Sequence, residues 1–435
     1  MNEKRYVVGY DLNDTVTQIS YSELNREAPM SVAKEGSERK LGIPTVVCKR
    51  KGVSQWYYGN DAEEVAKKGS GMLATKLLGV ARAGGKYEVE GQAYDASDLL
   101  VLFVRRTLTE LSLSADPEQI VSLVITVDVL DEKTIELLDK VASALPLNRD
   151  RIRYNTYADS IYQYMIHQPE ELWEKDVFVF DYSGKGLHGQ DFRINKNTTP
   201  KVGLMEEFEF EEIRMPDIML GSSPKPEDIE EFDEDVLVKI HGFFVGKSIS
   251  TVYLLGEGFD PGYLNKTVKY MCMGRRVFQG KNLYAKGACF FARDRAVNSS
   301  YLSDFVFLGK DKLKFNLGII MERNGNEEYI AVADGGENWF EAGKTIEMLL
   351  REGNEIMMII TPLNGKDKKN LRMVLDGLPE RPMKATRIRL RIEFSSETAL
   401  KATAWDMGFG DIFPSSGLKW EETLDIESND TLKGK

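Results

Sequence analysis

Two stretches far apart in the chain follow one plan, and together they restrict the fold more than any other feature. "YVVGYDLNDT" and "VFVFDYSGKG" each read as an apolar strand, an aspartate at its end, a polar turn and then a second strand. The two aspartates, Asp11 and Asp181, are 181 − 11 = 170 residues apart, and helical segments follow each unit. Two such units facing each other would bring the carboxylates together across a cleft. Converging aspartates beside glycine-bearing turns suit a hydrated divalent cation and a polyphosphate: carboxylates hold the ion's waters, and backbone N–H groups receive phosphate oxygens. Aspartate and glycine also favour turns for purely local reasons, so either turn taken alone reads as structural.

The 435 residues exceed one ordinary core and imply several domains. The formal charge of 57 − 69 = −12 argues against a nucleic-acid partner, because binders of phosphate backbones concentrate Lys and Arg. No stretch approaches the ~20 apolar residues that span a bilayer, and "MNEKRYVVGY" lacks the apolar core of a secretory signal. Three cysteines, Cys48, Cys272 and Cys289, make a disulfide framework improbable, and three scattered histidines do not form a metal site. The expectation is a cytoplasmic protein with no membrane segment.

Between the two aspartates, "SLVITV" is expected to be a strand covered on both faces, since its apolar run is nearly continuous. Helices are expected from Asp95 or Ser97, through Leu100, Phe103, Val104, Leu108 and Leu111, from Asp131, and over roughly 158–167. A third element, "TVYLLGEGFDPGYLNKTVKYM", reads as a buried strand, a Gly256-Glu257-Gly258 turn and a helix opening near Asp260-Pro261. Strand, glycines and helix N-terminus make a common approach to a nucleotide. Downstream, Gly287-Ala288 would let a helix pack closely. From about Ser303 helical periodicity gives way to short alternating segments, clearest in "RIRLRIEF", so residues 301–422 read as an all-β sandwich. The last residues, 423–435, are polar and expected to be a flexible tail.

With these segments in order, the chain resembles the seventy-kilodalton heat-shock chaperone family over about residues 5–420. "VGYDLNDT" is similar to the family's first phosphate loop and "VFVFDYSGKG" to its second. "MLATKLLGVAR" resembles the stretch that carries the catalytic lysine, and "VYLLGEGFDPGYL…YAKGACFFA" the adenosine segment. "LRMVLDGLPERP…RIRLRIEFSSETALKATAWDMG" resembles the peptide-binding β domain. The resemblance implies an α/β actin-like ATPase fold, with a first lobe over 1–170 and a shortened second lobe over 171–300, then the β domain without a helical lid. It implies ATP or ADP with Mg²⁺ as cofactor and a polypeptide or protein as partner. Asp11 and Asp181 would hold the metal and, with Lys76, occupy the catalytic positions. Asn13, Asp14, Thr15, Ser183, Gly184, Lys185, Gly186, Gly256, Glu257 and Gly258 would meet the nucleotide.

The departures bear on activity. Thr75 falls at the position of the family's catalytic lysine, with Lys76 one place later, and Thr156 falls at that of the catalytic glutamate. Asp128 replaces the proline that relays nucleotide state, and Gly186 replaces the second loop's threonine. Phosphoryl transfer rests on positioning and charge stabilisation, which a threonine in place of lysine does not supply. The expected function is a chaperone-like nucleotide-binding protein with degenerate ATPase motifs and weak or no hydrolysis. The alternatives are a non-catalytic scaffold of the same fold and, less well matched by the appended β domain, an actin-like or sugar-kinase-like enzyme.

Overall fold

The computed structural model describes residues 4–26, 28–32, 42–111, 117–183, 186–214, 225–323, 326–363 and 367–426. The chain divides into two compact units, 1–306 and 307–435.

The first unit is built on two sheets. In one, β1 (Tyr6–Asp11), β2 (Val16–Glu23), β3 (Met30–Ser31), β4 (Ile120–Val127) and β5 (Ile152–Thr156) lie in the order β5-β4-β1-β2-β3. In the other, β6 (Asp176–Asp181), β7 (Gly186–Asn195), β8 (Lys201–Arg214), β9 (Ile249–Leu255) and β10 (Arg276–Gln279) lie in the order β10-β9-β6-β7-β8. The polarities match as well: β1 is antiparallel to β2 and parallel to β4, and β6 is antiparallel to β7 and parallel to β9. The repeat read in the sequence is thus a repeat of whole sheets, with Asp11 and Asp181 closing equivalent central strands. Every residue of β1 is buried, which accounts for its unbroken apolar run.

The helices that matter here are α1 (Leu77–Arg82), α2 (Ala96–Glu110), α3 (Glu132–Ser143), α4 (Tyr157–Ile166), α5 (Pro226–Phe244), α6 (Asn265–Met271) and α7 (Leu283–Val297). Asp131 caps α3 by accepting from the Thr134 amide at 2.9 Å. Asp95 occupies the cap position of α2 but makes no capping bond; its carboxylate instead pairs with Lys86 at 3.3 Å. The acidic stretch after β8 is α5, whose Phe232, Val236, Ile240 and Phe244 recur every four residues on its buried face. Pro226 at its first turn and Glu227 and Asp228 beside it suit a helix N-terminus.

Two expectations are corrected here. Helix α6 opens at Asn265, not near Asp260-Pro261, because the backbone is still turning at Gly262, where φ is +112°. The division between the two units falls after Val306 rather than at 300, and Tyr301, stacked on His167 at 4.2 Å, holds the chain after α7 to the first unit.

Helix α7 joins the two lobes. A Cβ on Gly9 of β1 would lie 2.1 Å from the Ala285 carbonyl oxygen, and one on Gly287 would lie 1.7 Å from that of Ser160 on α4. Only glycine permits either approach. Just before α7, Asn282 takes a left-handed conformation and donates to the Ser20 and Ser31 hydroxyls at 2.9 and 2.8 Å.

The second unit has two antiparallel sheets. β11 (Phe315–Arg323), β12 (Asn326–Ala333), β14 (Glu355–Pro362) and β15 (Lys369–Val374) lie in the order β12-β11-β14-β15; β13 (Gly343–Leu350), β16 (Thr386–Phe394), β17 (Ala399–Asp406) and β18 (Lys419–Asp425) lie in the order β13-β16-β17-β18. Ile388, Leu390, Ile392 and Phe394 alternate inward along β16 while the arginines between them face water. Phe315 and Phe394 meet from the two sheets with ring centres 6.1 Å apart. Residues 423–426 are not a free tail: Thr423 and Leu424 pair with Lys401 and Leu400, and Leu424 and Ile426 are buried. Residues 427–435 lie outside the described residues.

Gly287→Val is expected to lower stability by roughly 3 kcal/mol, because the added carbons have no space against α4; a thermal melt beside the wild type measures it. Residues 307–426 alone are expected to give strand-type circular dichroism and a cooperative melt, since both sheets and the core between them fall within that segment.

Candidate functional site

Asp11 ends β1 and is almost wholly buried, at 3% exposure. Its Oδ1 accepts a hydrogen bond from the Tyr157 hydroxyl at 2.9 Å. Asp181 ends β6 and is half-buried, and its Oδ2 accepts from the Tyr284 hydroxyl at 2.8 Å. The two phenol rings stack, with centres 3.9 Å apart and planes 13° from parallel. Tyr157 opens α4 directly after β5, and Tyr284 is the second residue of α7 after β10. Both tyrosines therefore begin the helix that follows the outermost parallel strand of their sheet. The result is a near-symmetric quartet: one aspartate and one tyrosine from each lobe, joined through the stacked rings.

Local structure accounts for each placement. Thr156 caps α4 by accepting from the Asp159 amide at 3.2 Å, while Asp159 accepts from the Thr156 amide at 3.1 Å. This reciprocal box fixes the first turn of α4 and hence Tyr157. On the other side, the bonds of Asn282 to Ser20 and Ser31 fix the start of α7 and hence Tyr284.

Burial pushes the Asp11 carboxyl up to about 7; the Tyr157 and Asn13 hydrogen bonds oppose that rise, and the charges of Asp181 and Asp128 add to it. The phenols of Tyr157 and Tyr284 are raised well above their ordinary value, first by burial and then by their aspartates, and stay protonated as donors.

The first turn is closed on itself. The Asn13 carboxamide accepts from the Thr15 and Val16 amides at 2.9 and 2.8 Å and donates to the Val16 carbonyl at 2.9 Å. Asp14 accepts from the Gly79 amide at 2.9 Å. Thr15 is exposed and donates its hydroxyl to Asn13. Lys76 is exposed, in a left-handed conformation just before α1, and among the described residues forms no bond with Asp11 or Asp181. In the second turn, Ser183 donates to Asp181 Oδ1 at 2.5 Å, so both oxygens of Asp181 are engaged. Gly184 and Lys185 lie outside the described residues, and Gly186 begins β7.

The third element also turns inward. Gly256, at φ +87°, would place a Cβ 2.4 Å from the Tyr182 carbonyl carbon, and the Gly258 amide donates to the Tyr182 carbonyl at 3.0 Å. Its glycines thus serve a backbone contact with the second turn. Glu257 is exposed in the short turn that follows. The amides at the start of α6 are satisfied by Asp233 of α5, which accepts from Lys266 at 2.6 Å and Thr267 at 3.0 Å.

Among the described residues no three of His, Cys, Asp and Glu gather as a metal site. A hydrated cation shared by Asp11 and Asp181 would have to share their oxygens with the tyrosine hydroxyls. Reasoning from the strand ends alone does not reach Tyr157 and Tyr284. A signal was available, since the first turn of both helices carries the same pair, Tyr157-Ala158 and Tyr284-Ala285.

The geometry defines an α/β protein with a duplicated sheet, a buried carboxylate–tyrosine quartet that draws one aspartate from each sheet, and a separate unit of two antiparallel sheets. Residues 28–310 match the family of unknown function DUF5716, in its C-terminal part, and residues 312–426 match the domain of unknown function DUF8552. The chain belongs to the DUF5716 family. No curated protein matches it. Among the described residues no helix is long and apolar enough to cross a membrane.

The raised value of Asp11 fixes the sign of a pH effect. The folded chain holds this proton more tightly than the unfolded chain does, so Asp11 favours folding below about pH 4. That contribution is lost as pH rises through about 7. Thermal melts from pH 4 to 8 are expected to show wild-type stability falling across this window relative to Asp11→Asn. The full difference is on the order of 4 kcal/mol.

Proposed function

We propose that the first unit has an actin-like ATPase fold that has given up phosphoryl transfer. The chain then acts as a non-catalytic, chaperone-like scaffold that engages a polypeptide or protein partner through its second unit. The observation that carries this reading is the stacked tyrosine pair, with a hydroxyl bonded to each of the two aspartates. Phosphoryl transfer needs cationic and metal groups aimed at the migrating phosphoryl. Here the carboxylates meet neutral phenols, and Thr156 serves as a helix cap. The equal strand order of the two sheets, with an aspartate closing each central strand, supports descent from a nucleotide-binding ancestor. ATP or ADP with Mg²⁺ enters such a cleft only by parting the tyrosines. A cytoplasmic setting belongs to the same proposal and rests on the three free cysteines.

Calorimetric titration with Mg-ATP and Mg-ADP, together with thermal shift, tests the reading. The wild type is expected to give no binding heat and no phosphate release, and a variant with Tyr157→Ala and Tyr284→Ala to give at most weak binding. A ligand at 100 times its dissociation constant would stabilise the fold by about 2.7 kcal/mol, well within what a melt detects. Stoichiometric binding by the wild type, with phosphate release lost in Asp11→Asn/Asp181→Asn, overturns the proposal.

A further inference from the structure

Residues 407–418, between β17 and β18, form a loop whose base is fixed and whose tip is apolar. At the base, Arg381 donates two hydrogen bonds to the two carboxylate oxygens of Asp406, each at 2.7 Å, with the side chains 4% and 0% exposed. The same carboxylate accepts from the amides of Gly408 at 3.0 Å and Ser416 at 2.8 Å. Arg381 also donates to the Pro414 carbonyl at 2.9 Å, and the Phe409 amide to the Phe413 carbonyl at 2.6 Å. Gly408 has a φ of +62°, and a Cβ there would lie 2.3 Å from the Ser415 amide nitrogen. This loop is therefore ordered from both sides of its base. Above it stand Phe409, 47% exposed, and Ile412, 82% exposed, with Asp411 between them. Single exposed apolar side chains are ordinary. Two on one short loop, held by a buried ion pair, have the character of an anchor whose ordering cost is met before binding.

Helices α5 and α6 of the first unit form an open apolar pocket of about 530 Å³, lined by Leu237, Val238, His241, Tyr270 and Met273, with Lys266 and Lys269 beside them. This is a usual size for a site that takes a few side chains. Val238 and Met273 are 70% and 60% exposed. Lys266 is engaged by Glu230 at 2.7 Å and Glu234 at 2.6 Å. Lys269 forms no ion pair among the described residues. An apolar hollow with one available ammonium at its edge calls for a ligand with apolar side chains flanking a carboxylate.

We propose that the Phe409–Ile412 tip of one copy docks in the α5/α6 pocket of a second copy, with Phe409 and Ile412 against Val238 and Met273 and Asp411 against Lys269. The tip and the pocket are different surfaces, so the contact either pairs two copies reciprocally across a two-fold axis or adds copies head-to-tail. A bilayer fits the tip less well, since the exposed Asp411 lies between its two apolar residues and the chain carries a net charge of −12. The contact is independent of what the Asp–Tyr cleft binds.

Sedimentation velocity of the full chain over a concentration series reads this directly. The wild type is expected to self-associate as its concentration rises, to a dimer if the contact closes reciprocally and beyond it if the contact propagates. Ile412→Asp and Val238→Glu, both at exposed positions, are each expected to weaken association about thirtyfold or more. Circular dichroism checks that these variants remain folded. Asp411→Lys and Lys269→Glu are each expected to weaken association, and the two together to restore it. A wild type that stays monomeric to its solubility limit overturns the proposal, as does a charge-reversed pair no better than its single variants. Flotation with phosphatidylcholine–phosphatidylserine vesicles is expected to leave the protein unbound; binding of monomer that Ile412→Asp abolishes assigns the tip to a membrane and overturns it too.

Discussion

The close approach of α7 to β1 and α4 is the contact on which the first unit's arrangement depends. Gly9 and Gly287 remove the two Cβ atoms that would hold these elements apart, and the bonds from Asn282 to Ser20 and Ser31 tie the start of α7 to the opposite sheet. Once α7 is seated there, Tyr284 stands beside Tyr157 and the two rings stack. An aspartate from each sheet then finds a phenol within hydrogen-bonding distance. The cleft chemistry is thus a consequence of helix packing several residues away.

That packing changes what the aspartates can do. A buried carboxylate is costly unless hydrogen bonds or opposite charge compensate it. In the quartet the compensation comes from neutral donors, the Tyr157 hydroxyl and the Asn13 amide, so Asp11 keeps an elevated proton affinity that burial imposes and its hydrogen bonds offset only in part. A cationic side chain or a metal ion at the same place would act in the opposite direction. Under the proposed reading, the structural elements of a phosphate-binding cleft persist while the electrostatics that drive phosphoryl transfer do not. The inward turns of Asn13 and Asp14, and the use of Gly256 against the backbone of Tyr182, agree with that reading.

In the second unit, a buried ion pair organises an exposed surface. Arg381 makes three hydrogen bonds and Asp406 accepts four, all within this pair and to the backbone of one loop. Removing one partner of such a pair leaves an uncompensated charge in the interior, so the arrangement is held to one geometry. An apolar tip on so fixed a base differs physically from the same residues on a loose loop, because little conformational freedom remains to be lost on contact.

The sequence alone determined the duplicated strand-Asp-turn plan, the start of α3 at Asp131, the alternation of "RIRLRIEF" and the small residues at Gly287-Ala288. These features depend on local periodicity, turn chemistry and side-chain size, which a linear reading contains. It did not locate the Tyr157–Tyr284 pair, because two residues 127 positions apart meet only when two helices cross. Asp233 as the partner of the α6 amides was hidden for the same reason. The strand through Asp425 was read as tail because its polar outer face resembles a disordered segment until Leu400 and Leu424 are paired. Local patterns fix which segments become strands and helices. What each carboxylate touches is decided by the distances between segments, and only the packed chain sets those.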